Sequence, residues 1–132
     1  MNRSWLVLPI ALLALVGCSS EGADEATATA TEGPAESAPF ELDAAPVETT
    51  DVTAVKSYKF DPQVIEVASG SEVTWTNEDD FPHNVHLLTG SDETLDLPIG
   101  DSVSFTFDEA GDFYYECSIH PQQMRGKVIV AN

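Results

Sequence analysis

VSFTFDEAGDFYYEC, Val103 to Cys117, holds two runs of period two around a single turn. Val103, Phe105 and Phe107 alternate with Ser104 and Thr106, and Phe113 and Tyr115 alternate with Tyr114 and Glu116. Alternation of this kind puts apolar side chains on one face of a half-buried strand, and Glu109-Ala110-Gly111 supplies the turn between the two. The second run leads straight into Cys117, so that thiol is expected at a strand end. The pattern extends outward along the chain. Ile65 and Val67 flank Glu66 before a Ser69-Gly70 turn, and Val73 and Trp75 alternate with Thr74 and Thr76. Val128 and Val130 close the chain in the same way. No sustained helical period and no long internal repeat occurs from about Val47 onward. The expected class is all-β, a two-sheet sandwich, with Trp75, Phe105, Phe107 and Phe113 in its core.

The chain has 132 residues, with 23 Asp and Glu against 5 Lys and Arg, for a formal net charge of -18. That balance repels phosphate backbones and argues against nucleic acid as a partner. It serves either to solvate the protein or to steer it toward a basic partner surface. The acidic clusters Glu78-Asp79-Asp80, Asp92-Glu93 and Asp108-Glu109 lie in turn-like, polar contexts and are read as solvated loops.

The first residues, MNRSWLVLPIALLALVGC, form a basic start at Arg3 followed by an apolar run from Trp5 to Val16. Such a run is shorter than the roughly 20 residues of a transmembrane helix and fits the core of a signal peptide. Leu15-Val16-Gly17-Cys18 resembles a bacterial lipobox, in which the Cys becomes the lipidated first residue. Residues 1–17 are therefore expected to be a lipoprotein signal peptide. Residues 18–46 are poor in large apolar side chains and rich in Ala, Thr, Glu, Gly and Pro, the composition of a disordered tether. Residues 47–132 make the folded domain, and Phe40 and Leu42 are the tether's only large apolar groups that could dock on it. With Cys18 lipidated, Cys117 is a lone thiol in an oxidising setting and no intramolecular disulfide can form.

CSIHPQQM, Cys117 to Met124, gathers a thiol, an imidazole and a thioether within one loop. Pro121 cannot extend a ladder, so the segment after Cys117 must turn, and a tight turn folds His120 and Met124 back toward the sulfur. Structural zinc sites use Cys and His but rarely Met. One Cys, two His and a weak axial Met describe a blue-copper site. The second His is His83 or His86, in FPHNVHLL. In an extended run these two point to opposite faces, so both cannot readily serve one ion.

On Tyr58-Lys59-Phe60-Asp61-Pro62, Val73-Thr74-Trp75-Thr76-Asn77, Pro82-His83-Asn84-Val85 and Cys117-Ser118-Ile119-His120 with Met124, the region from about Val55 to Val130 resembles the small blue (type I) copper proteins of the cupredoxin family, most like amicyanin and plastocyanin. The resemblance implies a Greek-key β-sandwich and one type I copper ion held by His83, Cys117, His120 and Met124. It carries onto Asn84 the part of bracing the ligand loops and the Cys sulfur, and leaves His86 a sheet-surface or supporting role. Two departures stand out. Three residues separate His120 from Met124, where amicyanins typically have two and plastocyanins four. The position two after Gly111, commonly Tyr in the family, is Phe113, which removes a tyrosine-corner hydrogen bond.

The resemblance further implies electron transfer rather than catalysis, because four protein ligands leave no open position for a substrate. Electrons would pass at the edge of His120, ringed by an apolar patch of Phe81, Pro82, Ile119 and Pro121, with Leu97 and Pro98 at its margin. Partners would be transient redox proteins with a basic docking surface, met by a monomer. The place is the cell envelope, the chain exported and held by lipid at the outer face of the membrane or in the periplasm. The competing reading is a surface copper carrier or scavenger without redox shuttling. The absence of Met-rich or His-rich tracts in the tether weighs against it.

Overall fold

The computed structural model describes residues 38–132. The expected signal peptide, Cys18 and most of the tether lie outside these residues. Ten strands follow in order: β1 Val47–Glu48, β2 Asp51–Val55, β3 Lys59–Asp61, β4 Val64–Ala68, β5 Ser71–Asn77, β6 His83–Leu87, β7 Thr94–Leu97, β8 Ser102–Phe107, β9 Gly111–Glu116 and β10 Arg125–Ala131. They form a six-stranded sheet ordered β1-β4-β10-β9-β6-β7 and a four-stranded sheet ordered β3-β2-β5-β8. Spatial neighbours are mostly not sequence neighbours, and β4 pairs parallel with both β1 and β10. The chain therefore crosses repeatedly between two sheets, as in the two-sheet sandwich expected from the pattern and the Greek-key form that the resemblance implies.

Alternation decides which side chains fill the space between the sheets. Along β5, Val73 and Trp75 are fully buried, while Thr74 and Thr76 face outward and bond to Ser104 and Ser102 hydroxyls on β8 at 2.9 and 2.8 Å. Trp75 meets Tyr115 edge-on at 5.3 Å between ring centroids and lies 6.4 Å from Phe107. Phe107 is buried as expected, whereas Phe105 and Phe113 are only partly buried against the core. The reason for Phe105 is positional: β8 is the outer strand of its sheet, so its inner face is incompletely covered. Phe113 instead lies over Gly90, which has a φ of +75° and whose missing Cβ leaves room for the ring.

Two pairings place the site. β6 runs antiparallel to β9 with His86 opposite Glu116 and Leu87 opposite Tyr115. Continued by the same register, Asn84 falls opposite Ser118 and His83 opposite Ile119, the two residues that follow Cys117. β9 and β10 form a hairpin from Glu116–Arg125 inward, and the loop they enclose is Cys117–Met124. Ahead of β1, Phe40 packs edge-on against Tyr114 at 5.3 Å, and the Arg125 guanidinium stands 4.8 Å from its ring centre.

Candidate metal centre

The loop from Cys117 to Met124 closes on itself. The Cys117 amide donates to Met124 O at 2.9 Å, the His120 amide to Cys117 O at 3.0 Å, and the Met124 amide to His120 O at 3.0 Å. Arg125 Nε adds a bond to Pro121 O at 2.6 Å. These bonds turn the chain sharply, as Pro121 requires, and bring His120 back over Cys117. His120 Nδ1 lies 3.9 Å from Cys117 Sγ, and His83 Nδ1, from the start of β6, lies 3.8 Å from the same sulfur. The donor atoms of the three residues all fall within 4.8 Å of one another. Metal–nitrogen and metal–sulfur bonds of roughly 2.0–2.3 Å meeting at 120° hold such atoms about 3.7 Å apart. The group is thus the right size to share one ion, and a buried thiol between two imidazoles is the donor set that copper favours.

Each sequence-expected residue can now be located. His83, Cys117 and His120 come together. Met124 is fully buried within the same core cluster as Cys117. Asn84 is nearly buried and clamps the loop from both ends of its amide: Nδ2 donates to Ser118 Oγ at 2.7 Å, and Oδ1 accepts from the Ser118 amide at 2.8 Å. His86 lies on the opposite face from His83, 3.2 Å from Asp92 Oδ1, and takes no part in the group. Phe81 and Ile119 are 51% and 54% exposed, Pro82 and Pro121 are exposed, and His120 is half-buried. Leu97 departs from expectation. It is fully buried on β7 and belongs to the core rather than to a surface patch.

Two neighbours of the site were not visible in the sequence. Asp79, assigned to a solvated loop, is only 5% exposed, and its Oδ2 lies 3.0 Å from His83 Nε2. The cause is Asn77, whose buried amide donates to Phe81 O at 2.8 Å and to Leu97 O at 3.0 Å, pulling the acidic turn inward. Glu78 and Asp80 stay exposed, and Asp80 pairs with Lys56 at 2.7 Å. The second neighbour is Tyr58. Ser57 and Tyr58 take φ values of 107° and 57°, left-handed conformations that cost non-glycine residues about 1–3 kcal/mol and persist where surrounding packing enforces them. The turn lays the Tyr58 ring 4.4 Å from the His120 centroid and 5.9 Å from that of Phe81. In the sequence Tyr58 stands only as the first residue of the stretch Tyr58-Lys59-Phe60-Asp61-Pro62 that carries the family resemblance, and that signal gives it no position in space.

Residues 47–131 match the family model described as copper binding proteins, plastocyanin/azurin family. The chain belongs to that family. This cupredoxin is 37% identical to amicyanin of Paracoccus denitrificans over 131 residues, covering 93% of the chain and 92% of the relative. It is 36% identical to a chloroplastic plastocyanin of Tetradesmus obliquus over 84 residues, or 54% of the chain and 57% of the relative. Among solved structures, an oxidised amicyanin variant superposes with a TM-score of 0.54 at 37% identity, covering 61% of this chain and 80% of that one. A purple cupredoxin from Nitrosopumilus maritimus superposes with a TM-score of 0.52 at 28% identity, covering 61% of this chain and 98% of that one. Family and donor set agree on the cofactor. This cupredoxin takes one copper ion, and the His83, Cys117 and His120 group is able to hold it.

Proposed function

We propose that this cupredoxin carries single electrons between protein partners and is not an enzyme, and that Cys117, His83, His120 and Met124 are the residues that would hold the copper. The observation that carries the reading is the placement of three soft-to-intermediate donors within 4.8 Å of one another, two of them buried and the third, His120, half-buried. When bound there, copper supplies a one-electron Cu(II)/Cu(I) couple. The chain's own part is to hold the donors still. Asn84 ties the start of β6 to the ligand loop, the loop's backbone bonds fix its turn, and Arg125 anchors Pro121. Donors held in one geometry reorganise little between oxidation states, and fast exchange follows from that. Half-buried His120, next in the chain to exposed Ile119 and Pro121, is where a partner comes within tunnelling range.

The acidity of the chain fits transient docking to a basic partner surface, which steers encounter more than it tightens the complex. The N-terminal residues support export and anchoring by lipid on Cys18 at the cell envelope, with the domain acting as a monomer. Titration of the soluble domain with Cu(II), followed by visible absorption and EPR, tests the central reading. An intense blue charge-transfer band with narrow hyperfine splitting, absent from Cys117→Ala, is expected. A colourless tetragonal spectrum would sink electron transfer and favour a copper carrier.

A further inference from the structure

The turn between β5 and β6 places a carboxylate against the metal group from behind. Asp79 uses both oxygens as acceptors, Oδ2 toward His83 Nε2 at 3.0 Å and Oδ1 from the Asp80 amide at 2.7 Å. Its own amide donates to Asn77 Oδ1 at 2.9 Å, and Asn77 is held by two carbonyls. The carboxylate therefore cannot swing away without undoing the whole turn. With a carboxylate as acceptor, His83 is the donor through Nε2–H, and its Nδ1 keeps a free lone pair on the side of Cys117 Sγ. The two imidazoles of the group differ in this respect. His83 is backed by a buried anion, whereas among the described residues no hydrogen-bond partner holds the Nε2 of His120.

We propose that Asp79 is a positioning residue of the metal centre, fixing the tautomer and ring rotation of His83 and biasing the bound ion toward its oxidised state. The inference rests on the copper reading given above and adds to it a residue that sets the reduction potential. Two physical effects act in the same direction. A carboxylate on the far nitrogen raises the basicity of the ligating nitrogen. A buried negative charge also attracts the more highly charged of two oxidation states more strongly, with little water to screen it.

The test compares D79N and D79A with the parent domain, by potentiometric titration of the copper-loaded proteins and by nitrogen-15 NMR of the apo-protein. Asparagine keeps one acceptor for His83 and removes the charge. D79N is expected to retain the blue band and one copper per chain, while the ratio of Cu(II) to Cu(I) affinity falls at least tenfold. For a one-electron couple that is a rise of about 59 mV or more. D79A, with no acceptor, is expected to lose copper affinity as well. A blue D79N with the parent's potential overturns the charge effect. The NMR experiment needs no variant: His83 protonated at Nε2 in the apo-protein is expected, and protonation at Nδ1 overturns the positioning role. A parent domain that binds no copper defeats the copper reading itself, while a blue parent with an unmoved D79N potential defeats only the inference about Asp79.

Discussion

Asn84 joins two separate stretches of chain through one amide, meeting both the hydroxyl and the backbone of Ser118. Removing it leaves the Ser118 amide without its acceptor, and the loss of a part-buried hydrogen bond of this kind costs about 1–3 kcal/mol. Asn84→Ala is expected to unfold at lower denaturant and to release copper faster, both readable by spectroscopic titration. His86, on the other face, is expected to be dispensable: His86→Ala should bind copper with the parent's stoichiometry and blue band. At this scale the loop residues were legible because Cys117, His120 and Met124 are sequence neighbours. Alternation separated His83 from His86 but did not say which one turns inward, and family likeness had to decide. Asp79 was illegible for a physical reason. Its burial depends on Asn77 reaching the carbonyls of Phe81 and Leu97, a tertiary arrangement that no local composition encodes.

Tyr115 shows how a strand's alternation couples packing to pH. It is fully buried on β9, its ring covers Gly126 on β10, and among the described residues its hydroxyl has no hydrogen-bond partner. Burial pushes the phenol's pKa upward. The folded phenol thus stays neutral at a pH where the unfolded one ionises, from the ordinary value of 10.0. Stability from this group is complete below pH 10 and is lost as pH rises further, because ionisation then favours the unfolded chain. Tyr115→Phe is expected to abolish that alkaline loss in urea unfolding curves and to stay within about 1 kcal/mol of the parent at pH 7, since the hydroxyl it removes is unpartnered. β5, β8, β9 and β10 were legible as elements because each alternates over several residues. β1 and β3, with two and three residues, are too short to carry a period.

For the molecule as a whole, charge and the segment ahead of β1 lead to measurable consequences. With a basic redox partner, association is expected to slow as salt rises, because exposed charges lose their reach within a Debye length of about 10 Å at 0.1 M. A rate indifferent to salt assigns the acidity to solvation alone. The residues ahead of β1 contribute to the fold as well. Phe40 meets Tyr114 and lies under Arg125, and an aromatic pair with a cation–π contact is worth ~1–2 kcal/mol together. Phe40→Ala in a domain beginning at residue 38 is expected to lower unfolding stability by that amount, measured in denaturant. The sandwich itself was legible from the spacing of turns, and Phe40 could be named as a group able to dock, but where it docks was not legible, because a single aromatic in a polar tract gives no clue to its partner.

The hydrogen bond from the Cys117 amide to Met124 O closes the ligand loop as one more rung of the β9–β10 hairpin, next to the pair Glu116–Arg125. Residues inserted or deleted between those two positions would lengthen or shorten a bulge that both strands leave and re-enter at the same point. Neither strand would slip in register, and the sandwich would not feel the change. A lineage can therefore vary the spacing of His120 and Met124 one residue at a time while inheriting the rest of the protein unaltered.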